Sequence, residues 1–205
     1  MHPRLAEKIF NELYADIDGY ALASKGKQTL GRYDSHLTYG EITWDTFLDI
    51  MAEVQYRNNH KIFYDLGSGL GKAVIAAAML GNFTHVLGVE LLTELHHAAK
   101  KILFRFNKTA RPHLAAHNRG VVVDYIHKDL FDHDWSDGDV VFMQTTCFNE
   151  SLMERLEEQA ENLKPGSLVV TLSKYLRNPS FKIITQKKYP FGWGEATVFI
   201  HKKMS

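Results

Sequence analysis

The stretch YDLGSGLGKAV, residues 64–74, sets three glycines at alternate positions directly after a short apolar run, with Asp65 two residues ahead of the first. KIFYDL (61–66) reads as a strand and LGKAVIAAAML (70–80) as a helix, so the glycines turn the chain from one into the other. Their backbone amides then face outward at a helix N-terminus, which favours anionic or strongly accepting ligand groups. A dinucleotide fingerprint asks for G-x-G-x-x-G, where the third glycine lets helix and strand pack closely. Here Gly67, Gly69 and Gly71 are followed by Lys72, and that pattern is broken.

Outward from this loop, β-rich runs alternate with stripes of period near 3.6. After KIFYDL come HVLGVE (85–90), VVVDYIH (121–127), DVVFMQ (139–144) and SLVVTL (167–172). Leu91, Leu92, Leu95, Ala98, Ala99, Ile102, Leu103 and Phe106 trace a crossover helix between the second and third runs. Ser151 and Glu154 have capping-box spacing at the start of another, carried by Met153, Leu156, Ala160 and Leu163 and closed by Pro165 and Gly166. Five strands linked through helices predict a doubly wound parallel sheet. KIITQKKY (182–189) and ATVFIHK (196–202) are separated only by PFGWGE, which predicts an antiparallel hairpin at the sheet edge. The expected fold class is α/β, a seven-stranded, mostly parallel, Rossmann-like sheet.

Upstream, Leu5, Ile9, Phe10, Leu13, Tyr14 and Ile17 predict an N-terminal amphipathic helix. Residues 18–37 are polar and carry Gly19, Gly26 and Gly31, which reads as a long loop serving as a lid or binding segment. Trp44, Phe47, Leu48, Met51 and Val54 predict a second helix, N-capped by Thr43 with Asp45 in its first turn. Residues 1–57 are therefore expected to form a helical and lid extension packed on a core of residues 58–205. The length of 205 residues and a hydrophobic content of 45% suit one sizeable core. Lys and Arg number 24, as do Asp and Glu, so overall charge attracts neither nucleic acid nor an anionic membrane. Cys147 is the single cysteine, which excludes a disulfide framework and a cysteine zinc site and reads as a small buried hydrophobe. MHPRLAEKIF is not signal-like and no apolar run is long enough to span a bilayer. An intracellular protein, cytoplasmic rather than nuclear, is expected.

Asp65 and Glu90, ending the first two strands, put two carboxylates along one edge of the sheet. Ribose hydroxyls suit Glu90 and an ammonium suits the loop side, which describes S-adenosylmethionine (SAM) better than a pyrophosphate. DLGSGLG followed by HVLGVE resembles the first two SAM-binding motifs of class I methyltransferases, and WGEATVFI is similar to their reversed last strand. LTYGEITWDTFLDIM (37–51) resembles the Tyr-Gly-Glu segment of the non-SET histone-lysine methyltransferases, the disruptor-of-telomeric-silencing family. The same order continues through DLGSGLGKAV, GVE, KDLFDHDW and VVFMQTTCFNESL, over most of the chain.

That resemblance implies SAM as cofactor, S-adenosylhomocysteine as product and a protein lysine as acceptor. It implies Thr38, Tyr39, Gly40 and Glu41 as a lid over the methionine end, and Asp65, Gly67 and Gly69 around the amino-acid moiety. Ser68, Gly71 and Lys72 belong to the same loop. Glu90, with Leu91, would hold the ribose, Asp129 would accept from the adenine amino group, and the Leu130 backbone would read the ring edge, with Gln144 completing the set. The plain alternatives are loop caps for Asp65 and Asp129 and a solvated first-turn acid for Glu41. The chain departs from the family at Lys72, where an amide is usual, and at Gln144 to Phe148, where paired asparagines precede an aromatic. Lys72 is expected to pair with the cofactor carboxylate.

For a lysine acceptor the chemistry is proton removal and alignment: with a free pKa of ~10.4, deprotonation near neutrality costs about 4 to 5 kcal/mol, and an apolar channel lowers that pKa. Tyr39, Phe148 and Trp193 are candidate walls and Gln144 and Thr145 candidate polar guides; none is a general base. For Phe148 and Trp193 the alternative is ordinary packing. Three readings of function stay open: a protein-lysine methyltransferase, a SAM-dependent enzyme acting on a small molecule, and a noncatalytic SAM-binding partner subunit suggested by the altered QTTCF segment. A nicotinamide dehydrogenase is set aside by the glycine spacing. The chain closes on HKKMS with no basic tail for nucleosomal DNA, so a nucleosome substrate is not expected. His96, His97, His113, His117, His127 and His133 lack a matching carboxylate or cysteine pattern, and no metal site is expected. Lys100, Lys101, Arg105, Lys108 and Arg111 read as a solvated helix face, with partner docking as the alternative.

Overall fold

The computed structural model describes residues 3–54 and 61–204. Seven strands form one sheet in the order β3-β2-β1-β4-β5-β7-β6. Strand β1 (Ile62–Leu66) lies between and parallel to β2 (His85–Glu90) and β4 (Val140–Met143). β3 (Val122–His127) continues outward from β2 and β5 (Leu168–Leu172) from β4, also parallel. β7 (Gly194–Lys203) enters antiparallel between β5 and β6 (Phe181–Phe191), so the final hairpin places its first strand, not its last, at the edge. The strand order reverses between β1 and β4, the place where open α/β sheets form a crevice at their carboxyl ends.

Both faces are covered, which is why β4 reads as an unbroken apolar run and β5 is fully buried with Thr171 its single polar residue. One face buries Phe63, Val86, Phe142, Val170 and Ile200 beneath α1 (Pro3–Tyr14), α3 (Trp44–Glu53), α4 (Lys72–Leu80) and α5 (Thr93–Arg105). The other buries Tyr64, Leu66, Val89, Val141 and Val169 beneath α7 (Glu150–Ala160). On that second face the buried Lys203 side chain pairs with Glu161 just past α7. The alanines of α4 bring its backbone close to the sheet, and the helix is buried from Ala73 to Met79.

Several local expectations change. Residues 19–30 form helix α2 (Gly19–Leu30), not a loop: the Asp18 side chain accepts from Ala21 N at 3.0 Å, and Gly31 ends the helix in the left-handed conformation. Its buried face is Gly19, Ala23 and Gly26, residues too small to write a hydrophobic stripe. Only the segment from Gly31 to Gly40, with a 3-10 turn at Ser35–Leu37, remains as the lid connection. Helix α7 is capped by Asn149, which accepts from Leu152 N at 2.9 Å, two residues before the expected Ser151. The link from β3 to β4 holds no helix; aspartate-rich turns span it, with Trp135 buried under α7. The short α6 (Ala116–Arg119) precedes β3. Thr43 caps α3 as expected. The expected boundary at 57/58 lies outside the described residues.

Candidate functional site

The glycine loop owes its shape to the two glycines that follow Ser68. Gly69 and Gly71 have φ of 55° and 78°, and side chains there would run into the Tyr39 ring and the Tyr125 hydroxyl. Tyr14 and Tyr125 donate to Gly71 O at 3.1 and 3.3 Å, so α1 and β3 pin the loop from behind.

Asp65 and Glu90, at the carboxyl ends of β1 and β2, are 5% and 7% exposed. Glu90 Oε2 accepts from Gly69 N and its Oε1 from Leu92 N, both at 2.7 Å, which fixes the loop to the end of β2. Each of those oxygens keeps a lone pair for a ligand hydroxyl. Burial raises the Glu90 pKa, against the pull of the backbone amides. Asp65 is pushed up to about 8 by its burial and by the neighbouring Glu90 charge. Two buried carboxylates one strand apart therefore make a site suited to a cationic group.

The lid lies across this edge. Thr38 Oγ1 donates to Ser35 O at 2.6 Å, and Tyr39 sits between Gly19 of α2 and Gly69 of the loop. The Tyr39 hydroxyl donates to Glu41 Oε1 at 2.8 Å, and Lys72 Nζ donates to Glu41 Oε2 at 2.6 Å. Lys72, expected to meet a cofactor carboxylate, is thus ion-paired with the lid.

Beneath the lid runs an open cleft. Its walls include Thr38, Tyr39, Gly40, Gly67, Glu90, Leu91, Asp129, Leu130, Gln144 and Phe148. Asp129 Oδ1 accepts from Phe131 N at 3.0 Å, which aligns the carboxylate beside Leu130. Glu41, Asp65, Ser68, Gly69 and Lys72 line an adjoining compartment that shares Tyr39, Gly40, Gly67 and Gln144 with the cleft. Gly71 is turned away toward the tyrosines that hold it. The sequence reading missed His36, Leu37, Leu92, Leu95 and Phe131, which also line the cleft. Phe131, following Asp129 and Leu130, was the findable one, because a strand-end loop that positions two wall residues carries the next along.

The acceptor candidates separate. Phe148 is buried on the cleft wall, and Gln144 Nε2 donates to Gly40 O at 3.3 Å. Trp193, at the β6–β7 turn, stacks on Phe191 with centroids 5.0 Å apart and stands against Gly40, outside the cleft lining. Thr145 does not face the cleft: it is fully buried and its hydroxyl donates to Leu172 O at 2.7 Å. The Tyr39 hydroxyl is held well above its usual pKa by burial and by Glu41, which makes it a hydrogen-bond donor rather than a base.

Among the described residues no group of His, Cys, Asp or Glu is placed to hold a metal ion, and no helix is long and apolar enough to cross a membrane. His96 and His127 stack at 4.9 Å. The basic run is largely committed within the fold: Lys100 pairs with Asp124, Arg105 with Asp16, and Arg111 donates to Arg119 O and Val121 O. Charge is uneven in the other direction. Between residues 129 and 161 ten acidic residues stand against a single basic one, Arg155.

A family model for the histone methylation protein DOT1 matches residues 23–191. A histone-lysine N-methyltransferase of Kluyveromyces lactis, specific for H3 lysine-79, is 28% identical over 154 residues, which is 73% of this chain and 26% of the relative. A protein-lysine N-methyltransferase of Saccharolobus islandicus is 32% identical over 122 residues, 59% of this chain and 67% of the relative. The chain spans about a quarter or less of the length of the first H3 lysine-79 relatives it matches. In fold it is similar to an RNA methyltransferase of Salinibacter ruber solved with S-adenosyl-L-homocysteine, with a TM-score of 0.58, 23% identity, and 79% of this chain and 90% of the other covered.

Proposed function

Because the chain belongs to the DOT1 histone methylation protein family, we propose that it is a SAM-dependent methyltransferase acting on the side-chain amine of a lysine in a protein. The observation that carries the reading is a cleft at the sheet switch point, with buried Glu90 and the adjoining Asp65 compartment at one end and an apolar aromatic wall at the other. When bound, SAM supplies a methyl group already activated by its sulfonium. The residues present fit it: Asp65 would take the ammonium, Glu90 the ribose, and Asp129 with the Leu130 backbone the adenine, while the Lys72–Glu41 pair ties the lid to the loop.

The protein's own task is to admit a neutral amine and align it. Charged lysine is disfavoured against Phe148 and Tyr39 because an apolar wall penalises the ammonium form. The amide of Gln144, held toward Gly40, orients the amine without trapping its proton. The proton leaves to solvent before alignment, since neither Tyr39 nor the buried Asp65 is placed as a base. Alignment and exclusion of water then supply the acceleration.

Asp129 lines this mouth, and Glu150, Glu154 and Glu157 line a second groove with Ser173, Lys174 and Tyr175. A lysine-bearing segment within a basic protein is the acceptor that this field favours. Incubation with methyl-labelled SAM and a panel of basic and acidic proteins, followed by peptide mass mapping, tests it. Methyl-lysine on basic proteins is the expected result; label found only on small molecules, with S-adenosylhomocysteine bound normally, would sink the protein-lysine reading.

A further inference from the structure

Outside the cofactor cleft, a separate cleft opens between the β3–β4 link and the end of α7, lined by Asp132, His133, Asp134, Trp135, Gln159 and Asn162. Three of these carry a buried polar atom with no hydrogen-bond partner: His133 Nε2, Trp135 Nε1 and Gln159 Oε1. Trp135 is 2% exposed. Buried donors and acceptors are almost always paired, and three orphans along one cleft call for an occupant. Gln159 is held in place, because its Nε2 donates to Phe131 O at 2.9 Å, which leaves its carbonyl oxygen unengaged.

The donor–acceptor pattern narrows the chemistry. The indole N–H can only donate and the Gln159 oxygen can only accept, and both lie just beneath the cleft surface, so a main chain that parts the wall meets complements to both halves of a peptide unit. Asp132 and Asp134 are exposed at the rim, which disfavours an acidic ligand and favours basic side chains. Position narrows it further. Phe131 lines both clefts, and its ring lies 6.5 Å from that of Phe148 on the acceptor wall. A polypeptide whose lysine enters at Phe148 would have neighbouring residues within reach of this second cleft.

We propose that the cleft formed by Trp135, Gln159, Asp132 and Asp134 is a docking site for the main chain and basic side chains that flank the methylated lysine. This rests on the protein-lysine reading above and adds to it where the acceptor segment is gripped. The site contributes to holding the substrate and takes no part in the transfer itself.

The test is binding of a short fluorescent peptide alternating lysine and alanine, read by anisotropy at physiological ionic strength, with S-adenosylhomocysteine binding measured in parallel. Two variants probe the two kinds of contact: Gln159→Met removes the carbonyl acceptor, and Asp132→Asn with Asp134→Asn removes the rim charge at exposed positions. Each is expected to weaken the peptide by at least about fivefold and to leave S-adenosylhomocysteine affinity unchanged. A matched glutamine–alanine peptide should bind wild type more weakly than the lysine peptide and still lose affinity in Gln159→Met. Peptide affinity equal in wild type and both variants overturns the site. So does loss confined to the charge variant, which would reduce the effect to nonspecific attraction. Failure of wild type to bind S-adenosylhomocysteine would overturn the methyltransferase reading and leave the peptide result to stand or fall on its own.

Discussion

On the cofactor side of the cleft each acid sits at the end of a strand: Asp65 is the penultimate residue of β1, Glu90 the last of β2, and Asp129 follows β3 by two residues. On the acceptor side the walls come from the lid at Tyr39 and Gly40, which Trp193 of the hairpin turn backs from outside, and from the loop after β4 at Gln144 and Phe148. β1 and β2 are fixed by ladders on both sides and β3, at the sheet edge, on one, whereas each acceptor wall hangs on a different connection. Precision is therefore concentrated where the cofactor must be held, and variation is tolerated where one acceptor is distinguished from another.

The comparison breaks most directly at Glu90. Glu90→Ala removes a buried carboxylate that holds two backbone amides, a change costing about 2–5 kcal/mol, so S-adenosylhomocysteine affinity should fall by more than about thirtyfold in calorimetric titration. Affinity within a few-fold of wild type would show that the strand-end acids do not hold the ligand.

The next largest effect is on pH. Asp65, raised to about 8 by burial and Glu90, carries a proton in the empty site near neutrality. A ligand ammonium requires the charged form, so binding expels that proton, and affinity should rise with pH by nearly tenfold per unit below about 8, then level off. The stability of the empty protein moves oppositely. A carboxyl whose folded pKa is raised contributes stability fully at low pH and loses it as pH rises from the ordinary carboxylate range through about 8. Titrations in buffers of different ionisation enthalpy check the proton count, and Asp65→Asn should flatten the profile.

On the acceptor side, Phe148→Leu should lower kcat by about tenfold through looser alignment of the amine, with S-adenosylhomocysteine affinity nearly unchanged. Equal losses in both would mean that the two sides are not separable. The smallest effect is expected at Thr145, which lies in the same loop yet turns its hydroxyl to Leu172 O. Thr145→Val should cost about 1 kcal/mol in unfolding and leave steady-state kinetics alone.

The strand-end side was legible because its signals are local: a glycine loop between a β-rich run and a helix, then an acid closing the next run. The rest required contacts across the chain. α2 hid because Gly19, Ala23 and Gly26 pack by smallness, and its caps, Asp18 and Gly31, look like loop residues. Thr145 read as a polar guide because nothing in QTTCF shows that its hydroxyl turns toward β5. Asn149 outcompetes Ser151 as cap because its side chain reaches Leu152 N. The Lys72–Glu41 pair joins residues 31 positions apart and has no local signature. The acidic concentration between 129 and 161 was plain in the sequence and was masked by a net charge of zero.

The placement of β7 between β5 and β6 bears on how the polypeptide matures as it leaves the ribosome. LVVTL of β5 presents an apolar strand with an open hydrogen-bonding edge until residues 194–203 emerge to cover it. The hairpin partner β6 cannot substitute, since its own ladder runs to β7 alone. The nascent sheet is consequently most prone to pair with neighbouring chains in the interval between synthesis of β5 and arrival of its last-made partner.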